Sequence, residues 1–252
     1  MDVVLKRKPF GVSSVNGSAS LSTPRVLSTA EQLLASDLSE LIAEVRQLRQ
    51  RRVTHVSVRR QRALRIGPAT LRDVLDDYDL NVCTVGFAGG FTGSLNRTYR
   101  QAVEDTRRAL EFAASLDARA VAVLPGCRGL HTWNHAARTV KEGVEDCLDD
   151  ALRFRIDMLL PANTFLGQGK DVYQPQNGGV LDWVDSFNSH RVRGMMMLRG
   201  RRPLHGLPED WQRCLLNGGL LRVAGRAKSV LGSEGVVDQI ARKLDDVAIP
   251  VG

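Results

Sequence analysis

Tyr99-Arg-Gln-Ala-Val-Glu-Asp-Thr-Arg-Arg-Ala-Leu-Glu-Phe-Ala-Ala-Ser-Leu116 is followed, after Asp117-Ala118, by Arg119-Ala-Val-Ala-Val-Leu-Pro125. The first segment sets Val103, Ala109, Leu110 and Ala113 at the three-and-four spacing of one helix face. The second is a short run of small and aliphatic residues stopped by proline, the pattern of a strand covered on both faces. A helix that runs directly into a doubly covered strand is half of a βα repeat, and the rest of the chain repeats it.

Similar aliphatic runs predict strands at residues 10–16, 53–58, 80–87, 155–161, 191–198, 219–224 and 247–251, beside the one at 119–125. Their starts lie some 27 to 43 residues apart, which suits βα units and is too far for β-hairpins. Amphipathic helices are expected at residues 29–51, 136–154, 181–187, 208–216 and 236–244, with the 99–116 segment already quoted. Eight strands alternating with helices in 252 residues give a (β/α)8 TIM barrel, α/β in class. An open doubly wound sheet would carry a Gly-rich G-x-G-x-x-G turn after its first strand. The residues here, Gly11-Val-Ser-Ser-Val-Asn-Gly17, lack that spacing. No linker divides the chain, so residues 1–252 read as one domain, with 1–30 an irregular or partly disordered first strand and loop.

Composition narrows the class further. A hydrophobic fraction of 43% excludes a disordered chain, and no apolar run reaches the roughly 18 residues of a membrane span. The four cysteines form no C-x-x-C, and the start, Met1-Asp-Val-Val-Leu-Lys-Arg-Lys-Pro-Phe10, has no apolar leader core, so a reducing cytoplasm is the expected location. The net charge is +7, and only six of the 35 basic residues are lysine. Arginine grips phosphate and carboxylate in a planar fork, which makes its position worth tracing.

Several segments resemble the xylose isomerase-like TIM barrels, the family of sugar phosphate isomerases and epimerases that also includes endonuclease-IV-like repair enzymes. Thr54-His-Val-Ser-Val-Arg-Arg60 is similar to that family's second strand, and Leu80-Asn-Val-Cys-Thr-Val-Gly-Phe-Ala-Gly-Gly-Phe-Thr92 to its third strand and Gly-Gly-aromatic loop. Residues 105–124 match its approach to strand four, and Gly232-Ser-Glu-Gly-Val-Val-Asp238 its last loop. The resemblance covers most of the chain after about residue 53. It implies a divalent metal at the C-terminal mouth of the barrel, held by a Glu, an Asp, a His and a Glu ending strands five to eight. That metal would polarise a sugar oxygen while a carboxylate moves the proton.

The expected ligand positions fall near Leu160, Met197 and Ala224, and the chain reaches Gly252 at or before the place of the fourth. There is no Asp or Glu between Asp157 and Asp171, between Asp185 and Glu209, or after Asp246, so a register slip does not restore the set. The expectation is therefore a barrel with no metal and no other cofactor. Basic and polar groups follow the strands instead. Arg59, Arg60, His131, Asn163, Arg199 and Arg226 are the candidate ligand-binding residues, and a small anionic or sugar-like molecule is the expected partner. Arg62, Arg128, His135, Arg201, Arg202 and Lys228 share these loops, where solvation and ion pairing are the competing roles.

His131-Thr-Trp-Asn-His135 has the spacing of a zinc hydrolase pair but Thr132 in place of its Glu, so loop capping or a polar ligand contact is the preferred reading. The glycines of Gly86–Phe91 and Pro125–Gly129 suit either tight turns or close approach to a phosphate. Phe91 and Trp133 read as sugar-stacking rings or as caps on the barrel top. Three alternatives remain open at this point: an active metal-dependent sugar isomerase or epimerase using other ligands, a nucleic-acid-associated protein, and an oligomeric scaffold. The absence of a basic tail or lysine stripe weighs against nucleic acid. A homo-oligomer is compatible with every one of these readings.

Overall fold

The computed structural model describes residues 2–6, 26–93, 96–162, 165–166, 179–199 and 220–224. Its strands are β1 (Asp2–Lys6), β2 (Val26–Leu33), β3 (His55–Arg59), β4 (Asn81–Gly89), β5 (Ala120–Leu124), β6 (Asp157–Pro161), β7 (Val192–Arg199) and β8 (Leu220–Ala224). They close into a barrel in chain order. The helices are α1 (Leu38–Gln50), α2 (Arg60–Ile66), α3 (Pro68–Asp77), α4 (Tyr99–Ser115), α5 (Trp133–Glu145), α6 (Leu148–Phe154) and α7 (Val180–Asp185).

Strands β2 to β8 run parallel, each against the next. The barrel is the expected α/β class with one departure: β1 is antiparallel to both β2 and β8. Antiparallel neighbours need no crossover helix, so a short segment ahead of β2 is enough to fill the last place. The expected strands from 53–58 to 219–224 are β3 to β8. Those at 10–16 and 247–251, and the helices at 208–216 and 236–244, lie outside the described residues.

The helix expected over 29–51 is a strand followed by a helix. Leu33 and Leu34 fit a helical stripe with Leu38 and Leu41, but residues 26–33 pair with β1 and β3. The helix starts only after Asp37, whose carboxylate accepts from the Glu40 N–H and is held below the ordinary aspartate range by that bond. The single helix expected over 136–154 is two, α5 and α6, with a break at Asp146–Cys147. Helices α2 and α3 meet at Gly67, whose φ of +89° suits glycine, and Pro68 starts the second.

Alternation along the strands sorts the core into two parts. Val56, Val58, Val85, Val121, Val123, Met158, Leu160 and Met196 face the helical layer, against residues such as Leu41, Val45, Ala109, Leu110 and Val140. Ala30, Cys83, Ala120, Ala122, Leu159 and Met195 form a separate inner cluster, topped by Phe87 and Leu124. Adjacent Met195 and Met196 thus fill the two sides of one strand. The N-terminal end of the barrel holds a buried ion-pair group: Asp157 binds Arg191 at 2.9 Å and Arg193 at 2.8 Å.

Candidate functional site

The C-terminal strand ends, with the loops that follow β3, β4, β5 and β6, define the mouth where ligands bind in barrels of this kind. Three hydrogen bonds lock consecutive loops into a wall. The Gly90 N–H donates to the Leu124 carbonyl at 2.8 Å, Thr92 Oγ1 to the Cys127 carbonyl at 2.7 Å, and the Arg128 N–H to the Leu166 carbonyl at 3.2 Å. Gly89 is needed for this approach: with φ at +101°, an added Cβ would stand 2.2 Å from the Leu124 oxygen. Turn geometry and close backbone packing therefore account for that glycine with no ligand required. Phe91 is buried against Gly143 of α5, so it caps the structure and offers no stacking face.

Arg59 ends β3, exposed, in register with Gly86, and forms no ion pair among the described residues. Arg60 does not present a free cation. It opens α2, is buried, and its guanidinium binds the Asp105 carboxylate of α4. Arg97 binds the second oxygen of the same carboxylate at 2.7 Å. Sequence reasoning missed this triad because its partners lie 45 residues apart. Its one local sign is an aspartate about two turns inside a helix start that is capped by Thr98 and Gln101. Arg62 donates to the Leu34 carbonyl. Arg199 closes β7 in register with Ala224. Asn163, Arg201, Arg202, Arg226 and Lys228 lie outside the described residues.

His131 and His135 are exposed, with ring centres 4.9 Å apart. Arg138 Nη2 sits 3.2 Å from His135 Nδ1. Arginine only donates, so Nδ1 accepts and the proton of the neutral ring is on Nε2. A metal-binding histidine has the opposite arrangement, its far nitrogen giving a proton to an acceptor. Among the described residues no three His, Cys, Asp or Glu side chains are grouped closely enough to hold a metal. The ends of β6, Leu160-Pro161 followed by Ala162, and of β8, Val223-Ala224, carry neither carboxylate nor imidazole. These donors do not fit the family's four-ligand centre. The place between β8 and β2, where an eighth parallel strand would present the last ligand, is filled by β1 running the other way.

Of the thiols, Cys127 is exposed in the β5–α5 loop, whereas burial pushes the Cys147 thiol up to about 12. Arg128 lies with its guanidinium carbon 4.9 Å from the centre of the Trp133 ring and donates to the His131 carbonyl at 2.8 Å. An open groove of about 640 Å³ runs beside α4, lined by residues including Asn96, Arg100 and Gln101. Its Arg97, Arg107 and Arg108 are each ion-paired, whereas Arg100 is exposed and in no ion pair among the described residues.

No family model matches the chain, and no curated protein matches it significantly. Solved structures do. The 3-keto-D-glucoside 4-epimerase from E. coli is 11% identical, over 86% of this chain and 87% of that one, with a TM-score of 0.63. A D-allulose 3-epimerase from Methylomonas sp. is 13% identical, over 77% of this chain and 70% of that one, with a TM-score of 0.58. The xylose isomerase-like barrel of a fusion protein with 4-hydroxyphenylpyruvate dioxygenase is 12% identical, over 67% of this chain and 26% of that one, with a TM-score of 0.53. The fold is therefore that of the xylose isomerase-like TIM barrels. Among the described residues, no helix is long and apolar enough to cross a membrane.

Proposed function

We propose that the chain is a divergent sugar isomerase- or epimerase-like barrel of the cytoplasm. In this reading it binds a small sugar-like or anionic molecule at its C-terminal mouth and has lost the divalent metal of the barrels it resembles. One observation carries the reading: the described ends of β6 and β8 are apolar where that chemistry needs carboxylates and imidazole, and the last strand place is occupied in reverse. Hard divalent cations require oxygen-rich sets, which aliphatic side chains do not supply. The sugar part of the reading is supported by structural neighbours that are sugar epimerases. The anionic part is supported by Arg59, at the end of β3, and Arg128, in the loop after β5, neither of which has a carboxylate partner among the described residues.

The test joins elemental analysis to turnover. Protein purified without chelator is expected to hold far less than one Mn, Mg, Zn or Co per chain. It is expected to show no Mn²⁺-stimulated interconversion of D-fructose and D-allulose, and still to bind a sugar or sugar phosphate by calorimetry. One metal per chain together with metal-stimulated turnover would overturn this and establish an active epimerase with ligands from other positions.

A further inference from the structure

Arg128 has no ion pair among the described residues, yet it is fixed from three directions. Its own N–H is bound to Leu166, and the neighbouring Cys127 carbonyl is bound to Thr92, so the loop is tied to the segments on both sides. Its guanidinium lies over Trp133 at 4.9 Å, and one nitrogen donates to the His131 carbonyl at 2.8 Å. A guanidinium has five N–H donors in a plane, and stacking on an indole leaves the edge of that plane free. The ordering cost that a flexible arginine meets on binding an anion is thus already met in folding. Three other candidate cations compare poorly: Arg60 is consumed by Asp105, Arg62 by a carbonyl, and Arg59 is exposed with no ion pair or hydrogen bond to orient its side chain among the described residues.

We infer that Arg128 is the anchor for the anionic group of the mouth ligand, so that the ligands of this barrel are anionic sugars, phosphorylated or carboxylated. This rests on the sugar-ligand reading above and narrows it. A planar, pre-positioned fork matches the paired oxygens of phosphate and carboxylate, and it gives nothing equivalent to a neutral hydroxyl. Trp133 beneath it supplies an optical signal of occupancy.

The experiment measures binding of D-fructose 6-phosphate, D-gluconate, D-fructose and inorganic phosphate, by calorimetry and by Trp133 fluorescence. It uses the wild-type chain, Arg128→Gln and Arg128→Lys, with Trp133→Phe to assign the optical signal. The expected result is that at least one anionic sugar binds roughly tenfold or more tightly than D-fructose. Arg128→Gln is expected to erase that preference, and Arg128→Lys to keep only part of it. A residue that merely staples the loop would shift the thermal midpoint without moving the anionic-to-neutral ratio, so the ratio decides. Equal affinity for neutral and anionic sugars, or a preference that survives in Arg128→Gln, overturns the anchor and leaves the sugar reading intact. Arg128-dependent binding of inorganic phosphate with no sugar binding overturns the sugar reading and leaves the anchor. Absence of all binding overturns both.

Discussion

Asp157 shows how much one side chain can organise. It is 4% exposed at the N-terminal start of β6, and its two oxygens each take a guanidinium, from Arg191 and Arg193. Three charges at the closed end of a barrel lined by alanines are tolerable only while the carboxylate joins them. Removing one member of a buried group typically costs about 3–5 kcal/mol, because the remaining charges stay buried and unmatched. Both arginines keep some solvent contact, 21% and 17% of their side chains, which argues for the lower end of that range. Asp157→Asn is therefore expected to lose about 3 kcal/mol, read as a lower urea midpoint at an unchanged slope. Ligand binding at the opposite face should not change in the folded variant. A midpoint within error of wild type would show that the group is not the structural clasp described. None of this pairing was legible in the sequence, where Asp157 is only the last carboxylate before an acid-free stretch. Its partners come 34 and 36 residues later, a separation that no local pattern encodes. The same distance effect hid Asp105 from Arg60. By contrast, the lack of acids after β6 could be read directly, since a missing residue type does not depend on register.

At the level of elements, the parallel run β3 to β8 was legible because each strand is a compact aliphatic run, but the helices after β3, α2 and α3, were not, since their buried apolar residues are only Ala63, Leu71 and Leu75. The pattern failed at β2. Ala30, Leu33, Leu34, Leu38 and Leu41 fit one helical stripe, and periodicity cannot tell a strand that feeds a helix from a longer helix. The decisive local sign was Asp37-Leu-Ser-Glu40, an N-cap signature that places the boundary. Loop packing was also hidden. The Gly-Gly-Phe loop reads as either a turn or a ligand loop, and its Phe91 as either a stacking ring or a cap; the ring is buried against α5, where Gly143 leaves it room. A Cβ at Gly143 would stand 2.4 Å from the Phe91 ring. Gly143→Ala should therefore be destabilising by about 1–3 kcal/mol through overpacking, despite the better helix propensity of alanine. Phe91→Leu in the same chain should recover part of that loss, so the double variant is more stable than the two single losses added together. Strict additivity in denaturation experiments would mean that the ring and the glycine do not share the space.

For the whole molecule, closure matters more than net charge. The excess of +7 is spread over groups whose surroundings differ: Arg60 and Arg193 are structural, Arg62 caps a carbonyl, and Arg59 and Arg128 have no carboxylate partner among the described residues. What makes the mouth a single face is that β1 completes the ring. Its Asp2–Val4 stretch is hydrogen-bonded on both sides, with Val4 in register with Ser28 of β2 and Leu220 of β8. An open α/β sheet would expose the edges of β2 and β8, and exposed edges template association. Residues 1–30 read as an irregular first strand and loop, not as a reversed strand, because direction is not written in an aliphatic run. Val4→Pro tests the closure. Proline donates nothing to either ladder, and a strand flanked on both sides has no solvent-facing edge on which to place it. The expected cost is about 1–3 kcal/mol for the lost bond and its unmatched acceptor, seen as a lower denaturation midpoint. Concentration-dependent light scattering should rise below that midpoint as the two edges become available. Val4→Thr, which keeps the N–H and the strand preference, should lose far less. If Val4→Pro matches Val4→Thr in both midpoint and scattering, β1 does not hold the barrel shut.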